Sequence, residues 1–146
     1  SVWNSQSWTW VKMRNDNFEI VGQFRGSPRE VKFSEILNEI IVLTTDYLYR
    51  LEGKNFNVIE TENQPQYFEV EVSPQGNFIF HDYYNIYRMD GNISKMTNLE
   101  SPFQMDDIKF IKWKNNKLLF ECEELGNWER KETLELDTTL WKIQVT

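Results

Sequence analysis

The stretch Asn77–Gly91, NFIFHDYYNIYRMDG, decides the fold. Phe78-Ile79-Phe80 is an apolar run, His81-Asp82 breaks it, and Ile86-Tyr87-Arg88-Met89 is a second run. Asp90-Gly91 then gives a hairpin signal, because glycine tolerates the positive φ that tight turns need. The stretch reads as two strands joined by a polar turn, and the rest of the chain repeats it. Displaced by thirty-eight positions, Arg88 falls on Arg50 and Arg50 on Lys12 (88 − 50 = 38; 50 − 12 = 38). The same offset lays Ile86-Tyr87-Arg88-Met89 on Leu48-Tyr49-Arg50-Leu51, Gly91 on Gly53, and Phe78-Ile79-Phe80 on Ile40-Ile41-Val42. Leu140-Trp141-Lys142-Ile143 reads as a further copy displaced by an insertion. A period of this size indicates a stacked array of supersecondary units.

Each unit holds four strand-like runs. In the first complete unit they cover about 30–34, 39–44, 47–52 and 56–60, and in the second about 67–72, 77–81, 85–89 and 93–97. The third has runs over about 108–113 and 117–122, a polar insertion over 123–138, and a third run over 139–145. Residues 7–21 read as two strands around Asn15-Asp16-Asn17, and residues 22–29 as a loop. Ser34–Leu43 also fits helical spacing, but its counterpart Ser73-Pro74-Gln75-Gly76 is a turn, so the repeat selects a hairpin. Four antiparallel strands in about forty residues make the blade of a propeller. The expected fold is all-β: an antiparallel, propeller-like array of about 38-residue four-stranded repeats in a single domain over 1–146, with a β-sandwich as the alternative.

A chain of 146 residues buries roughly 68–70% of its unfolded surface and needs no staples. Cys122 is the single cysteine, which rules out an internal disulfide or a multi-cysteine metal site and fits a reducing compartment. The longest apolar run, Ile40–Leu43, is too short to span a membrane. The N-terminal SVWNSQSWTW lacks the basic start and apolar stretch of a signal peptide, so a cytoplasmic location is expected. A net charge of −7 disfavours nucleic acid, whose phosphates want Lys and Arg, and favours a cationic protein partner. Acidity that serves only solubility is the plainer reading.

In a four-stranded blade the loops after second and fourth strands share one end. That end receives Asp46, Glu62, Asp82, Glu100, Asp106, Asp107 and the acids of the insertion, Glu123, Glu124, Glu129, Glu132 and Asp137, together with Tyr47, Tyr83, Tyr84, Phe103 and Trp128. The other end is mixed in charge. Aromatic anchors among charges are typical of protein-binding surfaces, and a merely solvated loop face is the competing account. The expected binding residues are Asp46, Asp82, Asp106, Glu121, Glu123 and Glu124 as charges and Tyr47, Tyr83, Tyr84 and Trp128 as anchors. No catalytic set is expected. His81-Asp82 lacks a nucleophile, adjacent strand residues point to opposite faces, and there is no second histidine. Asp106-Asp107 has no metal-loop spacing around it, so neither a metal nor a cofactor is expected. Lys12, Arg50, Arg88 and Lys142 share one repeat position and are expected to pair with acids between units.

The repeats YLYRLEG, NIYRMDG and LWKIQ, the single cysteine, the absent leader and the acidic loop end together resemble the immunity proteins of bacterial contact-dependent growth inhibition systems. The resemblance lies in the character of the whole chain and in no residue-by-residue motif. It implies a cytosolic, non-enzymatic inhibitor, a monomer that forms a 1:1 heterodimer with its cognate basic toxin domain. That toxin would be a ribonuclease, with carboxylates of the inhibitor standing in for RNA phosphates in its active-site groove. A carbohydrate- or peptide-binding module of propeller type is the alternative function.

Overall fold

A computed structural model describes residues 7–146; residues 1–6, part of the stretch read as lacking a leader, lie outside that range. Strand takes up 63% of the described residues and none is in a helix, so Ser34–Leu43 belongs to a hairpin, with its turn over 35–38, and not to a helix.

Among the described residues, fourteen strands form four antiparallel sheets in chain order. The first sheet is the hairpin β1 (Trp8–Arg14) and β2 (Glu19–Arg25). The second is β3 (Pro28–Ser34), β4 (Glu39–Thr44), β5 (Tyr47–Glu52) and β6 (Val58–Asn63). The third is β7 (Glu69–Val72), β8 (Phe78–His81), β9 (Ile86–Met89) and β10 (Met96–Leu99). The fourth is β11 (Met105–Lys114), β12 (Lys117–Glu124), β13 (Asn127–Asp137) and β14 (Lys142–Val145). Each four-stranded sheet is a simple meander, every strand pairing with the next.

Three apolar cores join neighbouring sheets. Val11, Met13 and Phe24 of the first sheet meet Ile40, Val42 and Leu51 of the second. Ile41, Leu43 and Leu48 on the opposite face of the second meet Val70, Phe78, Phe80 and Met89 of the third. Ile79 and Ile86 on the far face of the third meet Leu118, Phe120, Cys122, Leu134 and Leu136 of the fourth. The two middle sheets are thus buried on both faces, which is why β4 and β8 read as unbroken apolar runs. The two outer sheets are buried on one face, so β1 and β12 alternate buried and exposed residues.

Polar bonds tie the sheets at intervals close to the sequence period. Arg29 Nη1 donates to the Tyr67 carbonyl at 2.7 Å, and Ser34 Oγ to the Gly76 carbonyl at 2.6 Å. Phe110 N donates to Glu69 Oε1 at 3.1 Å, Trp113 Nε1 to Glu71 Oε2 at 3.1 Å, and Asn15 Nδ2 to the Lys54 carbonyl at 2.8 Å. These ties set β3, β7 and β11, the leading strands of successive sheets, side by side.

Four expectations are corrected. Residues 22–29 are not a loop, because β2 continues to Arg25 and β3 begins at Pro28. Residues 123–138 are not an insertion: 127–137 is β13, which pairs along β12, and Leu140–Ile143 leads into the fourth strand of its sheet, not the third. This sheet has one solvent face, and β13 runs beyond the core, so only Leu134, Leu136 and Asp137 are buried and the strand looks polar. The shared cationic position also breaks. Lys142 lies on a fourth strand. Lys12 lies on the outer face of β1, whereas Arg50, opposite Ile41, faces the third sheet. One residue of slip in β1 turns every side chain to the other face. Finally, the acids paired with these cations lie within their own sheets: Lys12 with Glu19, Arg50 with Glu39 and Glu60, Arg88 with Asp90.

Ile79 is wholly buried between the third and fourth sheets. Ile79→Ala should cost about 2–5 kcal/mol in urea unfolding, because it leaves a cavity between two rigid sheets. A loss below 1 kcal/mol would show that this core does not hold the array together.

Candidate functional site

The loops after second and fourth strands do gather at one end, and direct bonds link them. Thr45 N donates to the Ser27 carbonyl at 2.9 Å, Gln64 N to the Asp46 carbonyl at 2.8 Å, and Leu125 N to the Gln104 carbonyl at 2.8 Å. The part belonging to the third and fourth sheets is open and aromatic. Tyr83 packs edge-on against Phe68 at 4.6 Å and lies 6.0 Å from Tyr84, while the Arg29 guanidinium covers the Phe68 ring at 4.8 Å. Tyr83 and Tyr84 remain about half exposed. Tyr84 also borders a cleft of about 400 Å³ whose other walls include Phe103, Met105 and Leu125.

Beside it stands the β12–β13 hairpin. Gly126 makes its turn with φ +81°, a conformation that costs other residues a steric penalty. Glu124 pairs with Asn127, but the next pair down is Glu123 with Lys131. Trp128, Glu129 and Arg130 therefore stand opposite no residue of β12, as a large bulge. Bulges re-aim side chains, and Trp128 is left 71% exposed. Arg130 folds back instead, donating to Glu124 Oε2 at 2.6 Å and Glu132 Oε1 at 3.1 Å and covering the Phe103 ring at 4.3 Å.

A second bulge lies in β11, where Asp107 takes φ +50° between Asp106 and Ile108. Asp107 and Lys109 border two clefts at once. One runs to Phe68, Asp82 and Tyr83; the other runs to Glu121, Glu123, Lys131 and Glu132. Around these clefts and the hairpin, Asp106, Asp107, Glu121, Glu123, Glu124, Glu129 and Glu132 outnumber Lys109, Arg130 and Lys131. Of the expected residues, Tyr83, Tyr84, Asp106, Glu121, Glu123, Glu124 and Trp128 thus share one surface. Glu121 does so from within β12, on its exposed side.

Of the other three, Asp46 and Tyr47 lie away from that surface, and Asp82 borders one of its clefts with both oxygens engaged. Asp46 is 1% exposed, with the Thr45 hydroxyl donating to its Oδ1 at 3.0 Å. Tyr47 is half-buried against Tyr49, on the second sheet. Asp82 spends both oxygens on its own loop: Oδ1 accepts from Tyr84 N at 2.8 Å and Asn85 N at 2.7 Å, and Oδ2 from the Tyr87 hydroxyl at 2.8 Å. Burial, then that bond to Asp82, push the Tyr87 hydroxyl up to about 12. Asp82 therefore shapes the turn that presents Tyr83 and Tyr84. Asp137 is buried at the opposite end, where its Oδ1 accepts from Thr139 N at 2.8 Å. Burial raises the Glu62 carboxyl, with Glu60 adding to it.

The sequence alone does not single out Phe68, Leu125 or Asp107. Phe68 and Leu125 sit in short loops without a periodic pattern, and nothing in Asp106-Asp107 announces a bulge.

The reactive groups are enclosed. His81 is buried, with Nε2 2.7 Å from Glu69 Oε1 and Nδ1 2.9 Å from the Asp82 carbonyl, so both ring nitrogens are committed. Burial pushes the Cys122 thiol up to about 11, helped by Glu132, which removes it as a nucleophile near neutrality. No cluster of metal-ligating side chains occurs among the described residues. Comparison with protein-family models, curated proteins and solved structures finds no match to this chain.

Glu69 links the third sheet to the fourth beneath this surface. Burial works to raise its carboxyl, but hydrogen bonds from His81 and the Phe110 amide outweigh burial and hold it below its ordinary value of 4.5. A depressed carboxylate stabilises the fold above that ordinary value, and the contribution is lost as pH falls through the folded value. Glu69→Gln should therefore be less stable than the native chain at pH 7, with the gap narrowing below pH 4.5. Urea unfolding of both proteins across that range measures it; a gap independent of pH would show that charge on Glu69 does not carry the link.

Proposed function

We propose that the protein is an immunity-type inhibitor, an open propeller-like array whose acidic, aromatic end binds a cationic toxin domain. The observation that carries this reading is Trp128, lifted out of its ladder by a bulge and 71% exposed among carboxylates. An indole held in water near the tip of a hairpin has no role in the core, and buried aromatics at the centre of an interface supply much of its binding energy. Tyr84, on the Phe103–Leu125 cleft, and Tyr83 next to it offer a second anchor. The surrounding carboxylates suit a partner rich in Lys and Arg, such as a ribonuclease groove built to hold phosphates. On this reading the inhibitor covers that groove in a 1:1 complex in the cytosol and performs no chemistry of its own, in keeping with the enclosed His81 and Cys122. Asp46, Tyr47 and Asp82 are left out of the contact.

The test is surface plasmon resonance against the toxin domain encoded immediately upstream of the gene, with growth rescue in parallel. Trp128→Ala should speed dissociation by about tenfold, equivalent to roughly 1.4 kcal/mol. Glu121→Lys with Glu123→Lys should slow association, flatten its salt dependence and leave the melting temperature within a few degrees of native, because both side chains lie on the solvent side of β12. Binding and protection by both variants at native levels would refute the site.

A further inference from the structure

We propose that the open edge of β1, with the groove beside it, accepts an extended strand in which aliphatic residues alternate with carboxylates. The site lies on the first and second sheets, apart from the acidic hairpin, and does not depend on the reading above.

The other three sheets have four strands, and the first has two among the described residues. Those two occupy third and fourth places. The β1–β2 turn is bonded through Asn15 Nδ2 to the Gly53 and Lys54 carbonyls, in the turn that joins the third and fourth strands of the next sheet. In the second sheet the third strand, β5, pairs on one side with β6 and on the other with β4. Among the described residues β1 pairs only with β2. Its second edge keeps a row of main-chain donors and acceptors, a template for another strand.

The second sheet shows that no described residue fills this place. Val31 and Phe33 lie opposite Val42 and Ile40, so they face the first sheet. Their counterparts Val70 and Val72, opposite Phe80 and Phe78, face the second sheet in the same way. Val70 is fully buried, packed in one core with Ile41 and Leu43 of β4. Val31 and Phe33 have no such cover and are 41% and 52% exposed. An apolar groove of about 300 Å³ results, lined by Val11, Met13, Val31, Phe33, Ile40 and Phe56.

These contacts specify the occupant. Its groove-facing side must do for Val31 and Phe33 what Ile41 and Leu43 do for Val70, which calls for large aliphatics at alternate positions. Its other side continues the outer face of β1, which presents Trp8 and Trp10 and then Lys12 and Arg14, Lys12 already pairing with Glu19 of β2, so the charge to be met lies at the Lys12–Arg14 end. A cationic strand face is complemented by carboxylates on the neighbouring strand. An amphipathic acidic segment of a partner, running antiparallel to β1, meets all three requirements by strand addition.

The probe is a synthetic peptide alternating isoleucine with glutamate, titrated into the full chain while amide hydrogen exchange is followed by NMR. Saturable slowing of alternate β1 amides by tenfold or more is expected. The slowing should vanish when the peptide's backbone is N-methylated at alternate residues and weaken at least fivefold when lysine replaces glutamate. Phe33→Asp should abolish it with an unchanged melting temperature, since Phe33 is already half exposed. The proposal is overturned if the β1 amides that face away from β2 are already protected in the free chain, if saturating peptide protects none of them, or if the lysine peptide protects equally. Protection that instead rises with protein concentration alone, with a dimer in sedimentation, would assign the edge to a second copy and overturn the proposed occupant.

Discussion

A sheet with apolar side chains on both faces cannot stand alone in water, and two of the four sheets here are of that kind. β4 sends Ile40 and Val42 one way and Ile41 and Leu43 the other; β8 sends Phe78 and Phe80 one way and Ile79 the other. Each face is satisfied only by the next sheet. The three cores therefore form one chain of dependence. Removing the fourth sheet uncovers Ile79 and Ile86, and removing the first uncovers Ile40 and Val42. The burial that holds each unit is supplied by its neighbour, the energetic pattern of repeat arrays.

Apolar burial is non-directional and does not fix how one sheet sits on the next. The polar ties do. Arg29 to Tyr67, Ser34 to Gly76, and Glu69 to Phe110 each join equivalent places in successive units, at sequence separations of 38, 42 and 41. Each bond is partly buried, so a slipped arrangement would leave a donor or acceptor without a partner, at a cost of about 1–3 kcal/mol. Glu60 does both jobs, holding Arg50 within its sheet and accepting the Ile93 amide from the next. Polar bonds thus set the alignment that the apolar cores then stabilise.

This division explains what could be read from the residues. The middle sheets were legible because burial on two faces forces β4, β5, β8 and β9 into near-identical apolar runs. The outer sheets were not, because one buried face demands only alternation, and β13 satisfies it with Leu134 and Leu136 in an otherwise charged segment. The slip in β1 was hidden for the same reason: Lys12 aligns with Arg50 by number, while Val11 and Met13 decide which face is buried. At the candidate site, Trp128, Tyr83 and Tyr84 stood out as aromatics among charges. Whether a carboxylate is available was not legible. Asp46 and Asp82 are used up by turns whose geometry depends on loops from elsewhere, and no local pattern distinguishes them from Asp106 or Glu123.

The same architecture limits where a partner can bind. Middle-sheet faces are consumed by the cores, which leaves the loop ends, the strand edges and the outer faces of the first and fourth sheets. Those two outer sheets differ in charge. The fourth carries the carboxylate-rich hairpin, whereas the outer face of the first carries Lys12, Arg14 and Arg25 against Glu19. At physiological salt, exposed charges act over about 8 Å, so each end presents its own field to an approaching molecule and not the average of the whole chain. On the two proposals made above, a cationic protein would be drawn to the hairpin and an acidic segment to β1, and because those sites lie on different sheets, occupancy of one need not exclude occupancy of the other.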